Sequence, residues 1–119
     1  MKYYFDINNR AFNAIKNKTK IVEIRATKLG ENHFDYSVLN NGDIIEFTSY
    51  DGDIINCIVQ DVNHYHSALE LLIIEGTRYT LSSTNDFDKG VKSINSINGY
   101  MDAIKVNGVY AIHMLPIDN

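Results

Sequence analysis

Two β-prone runs, Ile44 to Thr48 and Ile54 to Val62, stand only five residues apart. The segment between them, Ser49-Tyr50-Asp51-Gly52-Asp53, carries an Asp-Gly pair that suits a hairpin turn. Strands joined so briefly pair antiparallel, because a parallel return needs a crossover of about a dozen residues or more. A doubly wound parallel sheet therefore fits poorly: it would need several long crossover helices and a glycine-rich strand-to-helix turn, and the sequence shows neither. The expected class is α+β, a small, mostly antiparallel curled sheet or β-barrel with flanking helices.

The rest of the chain supplies the other elements. Lys2-Tyr3-Tyr4-Phe5 is a short β-prone run, and Asn8 or Asn9 can cap a helix over Asn9 to Lys16 whose apolar face is Ala11, Phe12 and Ile15, with Asn17 as its stop. In Ile21 to Thr27 the period-2 pleat sets Val22, Ile24 and Ala26 on one face and Ile21, Glu23 and Arg25 on the other. Leu29 to Asn41 is polar and irregular, with a helical turn expected around Phe34 to Leu39 and a turn at Asn40-Asn41-Gly42-Asp43. Ser67-Ala68-Leu69-Glu70 has capping-box spacing and opens a short helix through Ile74 that Gly76 closes. Phe87, Val91, Ile94, Ile97, Met101 and Ile104 recur every three or four residues, which predicts one helix over Asn85 to Met101. Gly108 to Leu115 reads as a last strand stopped by Pro116.

A chain of 119 residues with 45% hydrophobic and 22% charged residues is one domain, 1–119, with a core of its own. No run approaches the roughly 20 apolar residues that cross a bilayer. Cys57 has no second cysteine to pair with and no leader pattern opens the chain, so a cytoplasmic location is expected. Charge is distributed unevenly. Residues 1–28 hold Lys2, Arg10, Lys16, Lys18, Lys20, Arg25 and Lys28 against Asp6 and Glu23, whereas the remainder is acidic enough to bring the whole to −4. That balance argues against broad phosphate binding along a duplex and leaves room for one local anion or nucleotide site, although a solvated helix end and turn would look the same.

Four pieces occur in order: Ile15 to Lys20 leading into Glu23-Ile24-Arg25; Gly42-Asp43-Ile44-Ile45-Glu46-Phe47; Tyr65-His66-Ser67 running into Glu70-Leu71-Leu72 and Glu75-Gly76; and Gly108-Val109-Tyr110-Ala111-Ile112. Together they resemble the ASCH domain, a small family similar in fold to the PUA domains that bind RNA. The likeness covers most of the chain, less so 26–41 and 77–107. It implies a PUA-like β-barrel with flanking helices and a cleft lined by Lys20, Glu23 and Arg25. Arginine there can offer its planar fork to a phosphate or a base edge, and glutamate can accept from an exocyclic amine. An ordinary exposed ion pair on a strand would show the same two residues.

One branch of the family hydrolyses N4-acetylcytidine with a lysine, a threonine three residues later and a downstream glutamate. The resemblance places the lysine on Lys20 and the glutamate on Glu75, but Glu23 stands where the threonine would be. A carboxylate is a poor nucleophile toward amides, so a hydrolase built here would use Glu23 or Glu75 to activate water and Lys20 or Arg25 to stabilise an oxyanion. RNA cleavage is a further theme of the family that the same residues could serve. Tyr65 is a candidate base-stacking ring, and Ser67 beside it a candidate ligand contact.

His64 and His66 are two apart, but no Cys or third His stands at a confirming distance, so neither a metal nor another cofactor is expected. Cys57, inside a strand, reads as a buried small hydrophobe. The leading expectation is a module that binds RNA or a nucleoside- or nucleotide-like molecule. The alternatives are a small amidohydrolase acting on a modified nucleoside and a protein-interaction domain whose charged cluster is merely solvated. Segment 26–41 is the candidate to cover the cleft.

Overall fold

A computed structural model describes residues 1–117. Five strands form one curled sheet: β1 (Lys2–Ile7), β2 (Val22–Arg25), β3 (Ile44–Ser49), β4 (Ile54–Tyr65) and β5 (Val109–Pro116), in the order β1-β3-β4-β5-β2. Every pairing is antiparallel except β1 with β3. Four helices flank the sheet: α1 (Asn9–Lys16), α2 (Ala68–Glu75), α3 (Phe87–Ser96) and α4 (Tyr100–Asn107). This is a small α+β, barrel-like domain, and among the described residues no helix is long and apolar enough to cross a membrane.

Alternation along the strands divides the core in two. On the concave side Phe5, Ile7, Ile45, Phe47, Val59, Ile112 and Met114 pack with Phe12 and Ile15 of α1. On the other side Val22, Ile24, Val109 and Ala111 pack with Leu71 and Leu72 of α2, Ile94 of α3 and Ala103 and Ile104 of α4. A residue on β2 or β5 therefore belongs to one core or the other according to its parity.

The local signals act through identifiable bonds. Asn8 caps α1 by accepting from the Ala11 amide at 2.8 Å, and Ser67 caps α2 by accepting from the Glu70 amide at 3.0 Å. Glu70 reaches back to the His66 amide rather than to that of Ser67, one residue beyond the usual capping box. Segment 26–41 is folded into the molecule: Tyr36 and Leu39 are buried, and Phe34 and Tyr36 meet Phe5 edge to face.

The single helix expected over Asn85 to Met101 is instead two. Ile97 turns extended at ψ 133°, and Gly99 takes φ +80° before α4 begins at Tyr100, a backbone state that glycine enters without steric cost. Ile97 and Met101, which continue the apolar stripe in the sequence, are half exposed, whereas Tyr100 and Ala103 go into the core.

Candidate functional site

β1 and β2 are the two edges of the sheet, and its curl brings them together, so that Arg25 Nη2 on β2 donates to the Asp6 carbonyl on β1 at 3.0 Å. A cleft of about 470 Å³ opens along this seam, walled by α1 on one side, α3 and α4 on the other, and residues 80–83 beneath. That volume is in the range of small-molecule sites.

Lys20, Glu23 and Arg25 all line it. Lys20 is only 4% exposed. Its Nζ donates to the Val22 carbonyl at 2.7 Å and to the Thr80 carbonyl, and stands 3.4 Å from Glu23 Oε1. Three acceptors thus meet the three protons of an ammonium group. Glu23, 6% exposed, takes Lys20 and the Ile24 amide on Oε1, and Arg25 Nε and Nη2 on Oε2 at 2.9 and 2.8 Å. Arg25 Nη1 makes one long contact, 3.5 Å to the Tyr36 hydroxyl, and the guanidinium lies over the Phe5 ring.

Burial decides Lys20, whose affinity for its proton falls below the ordinary 10.5 although Glu23 works against the fall. Burial would raise Glu23, but the Arg25 and Lys20 charges outweigh it and hold the carboxyl below 4.5. Arg25 likewise ends above its usual value, because Glu23 overcomes the desolvation that would lower it. The Tyr100 hydroxyl, also on the lining, is pushed up to about 12, chiefly by burial.

The arrangement fixes distinct parts. Lys20 and Glu23 spend their hydrogen-bonding capacity on the protein, and Glu23 with the Asp6 carbonyl holds the guanidinium. Arg25 lines the cleft, and its Nη1, whose one contact is the long one to Tyr36, keeps donor capacity for a hydrogen-bond acceptor there. Tyr36, Phe34 and Tyr100 wall it, His33 and the exposed Tyr50 lie at its mouth, and Arg10 and Lys28 add two further cations.

The other residues expected to share this site do not reach it. Glu23 is paired across to Ile112, which belongs to the concave core, whereas Glu75 is bound to His113, the next residue and hence the opposite face. Glu75 accepts from Tyr65 Oη at 2.5 Å and Asn63 Nδ2 at 3.1 Å, and is 2.8 Å from His113 Nε2. Tyr65 is buried among Leu71, Leu72 and Val109, so its ring is a core ring, and Ser67 is spent on its cap. The sheet stands between this cluster and the cleft. Cys57 is buried and burial pushes its thiol up to about 12, as befits a packing residue. Among the described residues no group of three metal-ligating side chains forms.

Sequence reasoning overlooked Tyr36, Tyr100 and the Thr80 carbonyl. Only the two tyrosines left a trace, as aromatics in stretches otherwise too polar to need them. The turn around Thr80 carries no side-chain signal, because it contributes backbone: the Tyr79 carbonyl accepts the Ile21 and Val22 amides on the free edge of β2.

No family model matches the chain, and no curated protein does. Among solved structures it is similar to the crystal structure of hypothetical protein PH0355, with a TM-score of 0.80 and 27% identity over 98% of this chain and all of that one. It is also similar to the solution structure of protein PF0455 from Pyrococcus furiosus, with a TM-score of 0.73 and 21% identity over the whole of both chains. Neither description names an activity, and what this chain shares with them is the fold.

Proposed function

We propose that the protein is an ASCH-type, PUA-like domain that binds a nucleotide-like ligand, free or as part of a short single-stranded RNA, in the cleft at the β1–β2 seam. The observation that carries this reading is the Arg25 guanidinium, locked by Glu23 and Asp6 on the lining of a cleft walled by aromatic rings, with Nη1 held only by a long contact to Tyr36. A nucleobase needs both elements: an apolar wall for its faces and a fixed donor for a ring carbonyl. A buried ion network by itself contributes little net stability, so its place on the wall of a cleft favours a part in holding a binding group.

The amidohydrolase reading is less well supported. The Lys20 protons are taken by protein acceptors, and Glu75 lies across the sheet.

The test is calorimetric titration with cytidine, uridine, guanosine and adenosine, their 5′-monophosphates and short single-stranded RNAs, repeated on Arg25→Lys. Lysine keeps the charge but loses the fork, so at least one of these ligands should bind the wild type and lose about tenfold or more in the variant. Undiminished binding by Arg25→Lys would remove the reading.

A further inference from the structure

We propose that the cleft contains an anion subsite made by Arg10 and Lys28, and that its ligand carries a terminal phosphate monoester, as a nucleoside 5′-monophosphate does. This rests on the nucleotide-binding reading and adds the part of the ligand that reading leaves open.

The inner network does not explain the charge of the cleft. Its lining holds four cations, Arg10, Lys20, Arg25 and Lys28, against the carboxylates of Asp6 and Glu23, on a chain whose net charge is −4. Glu23 answers the inner pair, Lys20 and Arg25. Arg10 and Lys28 have no ion-pair partner among the described residues. The Asp6 carboxylate shares the lining but lies beyond ion-pair distance of either.

Each cation is placed by its surroundings. Arg10 stands in the first turn of α1, with Nε 3.4 Å from Ser82 Oγ on the facing loop. Its two terminal nitrogens have no hydrogen-bond partner among the described residues. Ser82 and Ser83 lie on the lining beside it and offer hydroxyl donors. Lys28 is half-buried with its methylenes beside Gly99 at the start of α4, which leaves the ammonium at the cleft. A planar fork, an ammonium and hydroxyls suit a phosphate monoester, which accepts through three oxygens and carries about −1.5 to −2 at neutral pH. Four of the seven cations of residues 1–28, Arg10, Lys20, Arg25 and Lys28, reach this cleft, while Lys2 pairs with Glu46 and Lys16 and Lys18 lie elsewhere.

The experiment compares calorimetric affinities of the full chain for each nucleoside and its 5′-monophosphate, at two salt concentrations, with wild type, Arg10→Ala/Lys28→Ala and Lys16→Ala. For at least one base the monophosphate should bind about tenfold or more tightly than the nucleoside. The double variant should lose that preference while its nucleoside affinity stays within about twofold, and Lys16→Ala should keep it. Added salt should weaken the monophosphate and spare the nucleoside. A 5′-phosphorylated trinucleotide distinguishes a free nucleotide from an RNA end: tighter binding than the mononucleotide assigns the end, equal or weaker binding the free form, and either requires the phosphate. Equal affinities for nucleoside and monophosphate, or a preference that survives the double variant, overturn the subsite alone. Absence of binding by every compound overturns both the subsite and the reading beneath it. Arg10→Gln, a milder change, separates a lost contact from a disturbed α1.

Discussion

At the scale of single residues, the Lys20–Glu23–Arg25 network makes an ordered set of stability predictions. Glu23→Gln strands two buried cations and should destabilise by about 3–5 kcal/mol. Lys20→Met leaves Glu23 paired with Arg25 and costs mainly two unsatisfied carbonyls, so it should lose less, about 1–3 kcal/mol. Urea unfolding at neutral pH checks the order, and the reverse order would mean that Glu23 is held mainly by Lys20. The same carboxylate predicts a pH dependence. Its folded affinity for a proton lies below the ordinary 4.5, so its contribution is fully present above pH 4.5 and is lost as pH falls through the lower folded value. Glu23→Gln should therefore show a shallower loss of stability below pH 4.5 than wild type, measured as unfolding free energy against pH. The pleat of Ile21 to Thr27 made the Glu23–Arg25 pairing legible in the sequence. The depth of its burial was not, because it depends on Tyr79 and Thr80, far along the chain and acting through backbone carbonyls.

At the scale of elements, what could be read and what could not divide along bond range. The β3–β4 hairpin, α1 with its Asn8 cap and α2 with its Ser67 cap were legible because the residues that make them touch each other. The break between α3 and α4 was missed because a glycine within an apolar stripe signals weakness without saying whether tertiary packing will tolerate it. Glu75 was misplaced for another reason: the end of a helix is readable, but which sheet face that helix covers is settled by register. Gly108, which closes α4, gives the prediction here. It holds φ +76°, and a methyl group added there would stand 2.6 Å from the Tyr65 carbonyl and 2.2 Å from His64 Nε2. The imidazole can move but the backbone cannot. Gly108→Ala should therefore cost roughly 2–4 kcal/mol, combining positive-φ strain with a backbone clash. Gly42→Ala, at φ +93° with nothing within 4 Å, should cost only the strain, roughly 1–2 kcal/mol. Thermal melts of both variants would show whether close approach, beyond conformation, sets the requirement at position 108.

At the scale of the molecule, the sheet stops short of closing and the cleft occupies the opening, so the site belongs to neither core alone. Concave-side residues reach it through β1 and α1, and residues of the other side through α3 and α4. The electrostatics are equally local: a cationic cleft is set in a chain of net charge −4. A protein that binds long RNA by distributed phosphate contacts gains affinity with each added nucleotide and loses it steeply with salt, in proportion to the phosphates neutralised. Here the cleft offers Arg10 and Lys28 to the phosphates nearest them, whereas the cations outside it, Lys16 and Lys18 among them, are scattered over a chain with an acidic excess, so phosphates beyond the cleft should add little. Affinity should thus change by no more than about threefold between a trinucleotide and a 20-nucleotide single strand once the number of binding registers is allowed for, and the slope of log K against log salt should be about −1 to −2 at either length. Fluorescence anisotropy across oligonucleotide lengths at several salt concentrations measures both. A slope that steepens with length, with affinity rising alongside, would move the RNA contact out of the cleft and onto the exposed lysines elsewhere on the chain.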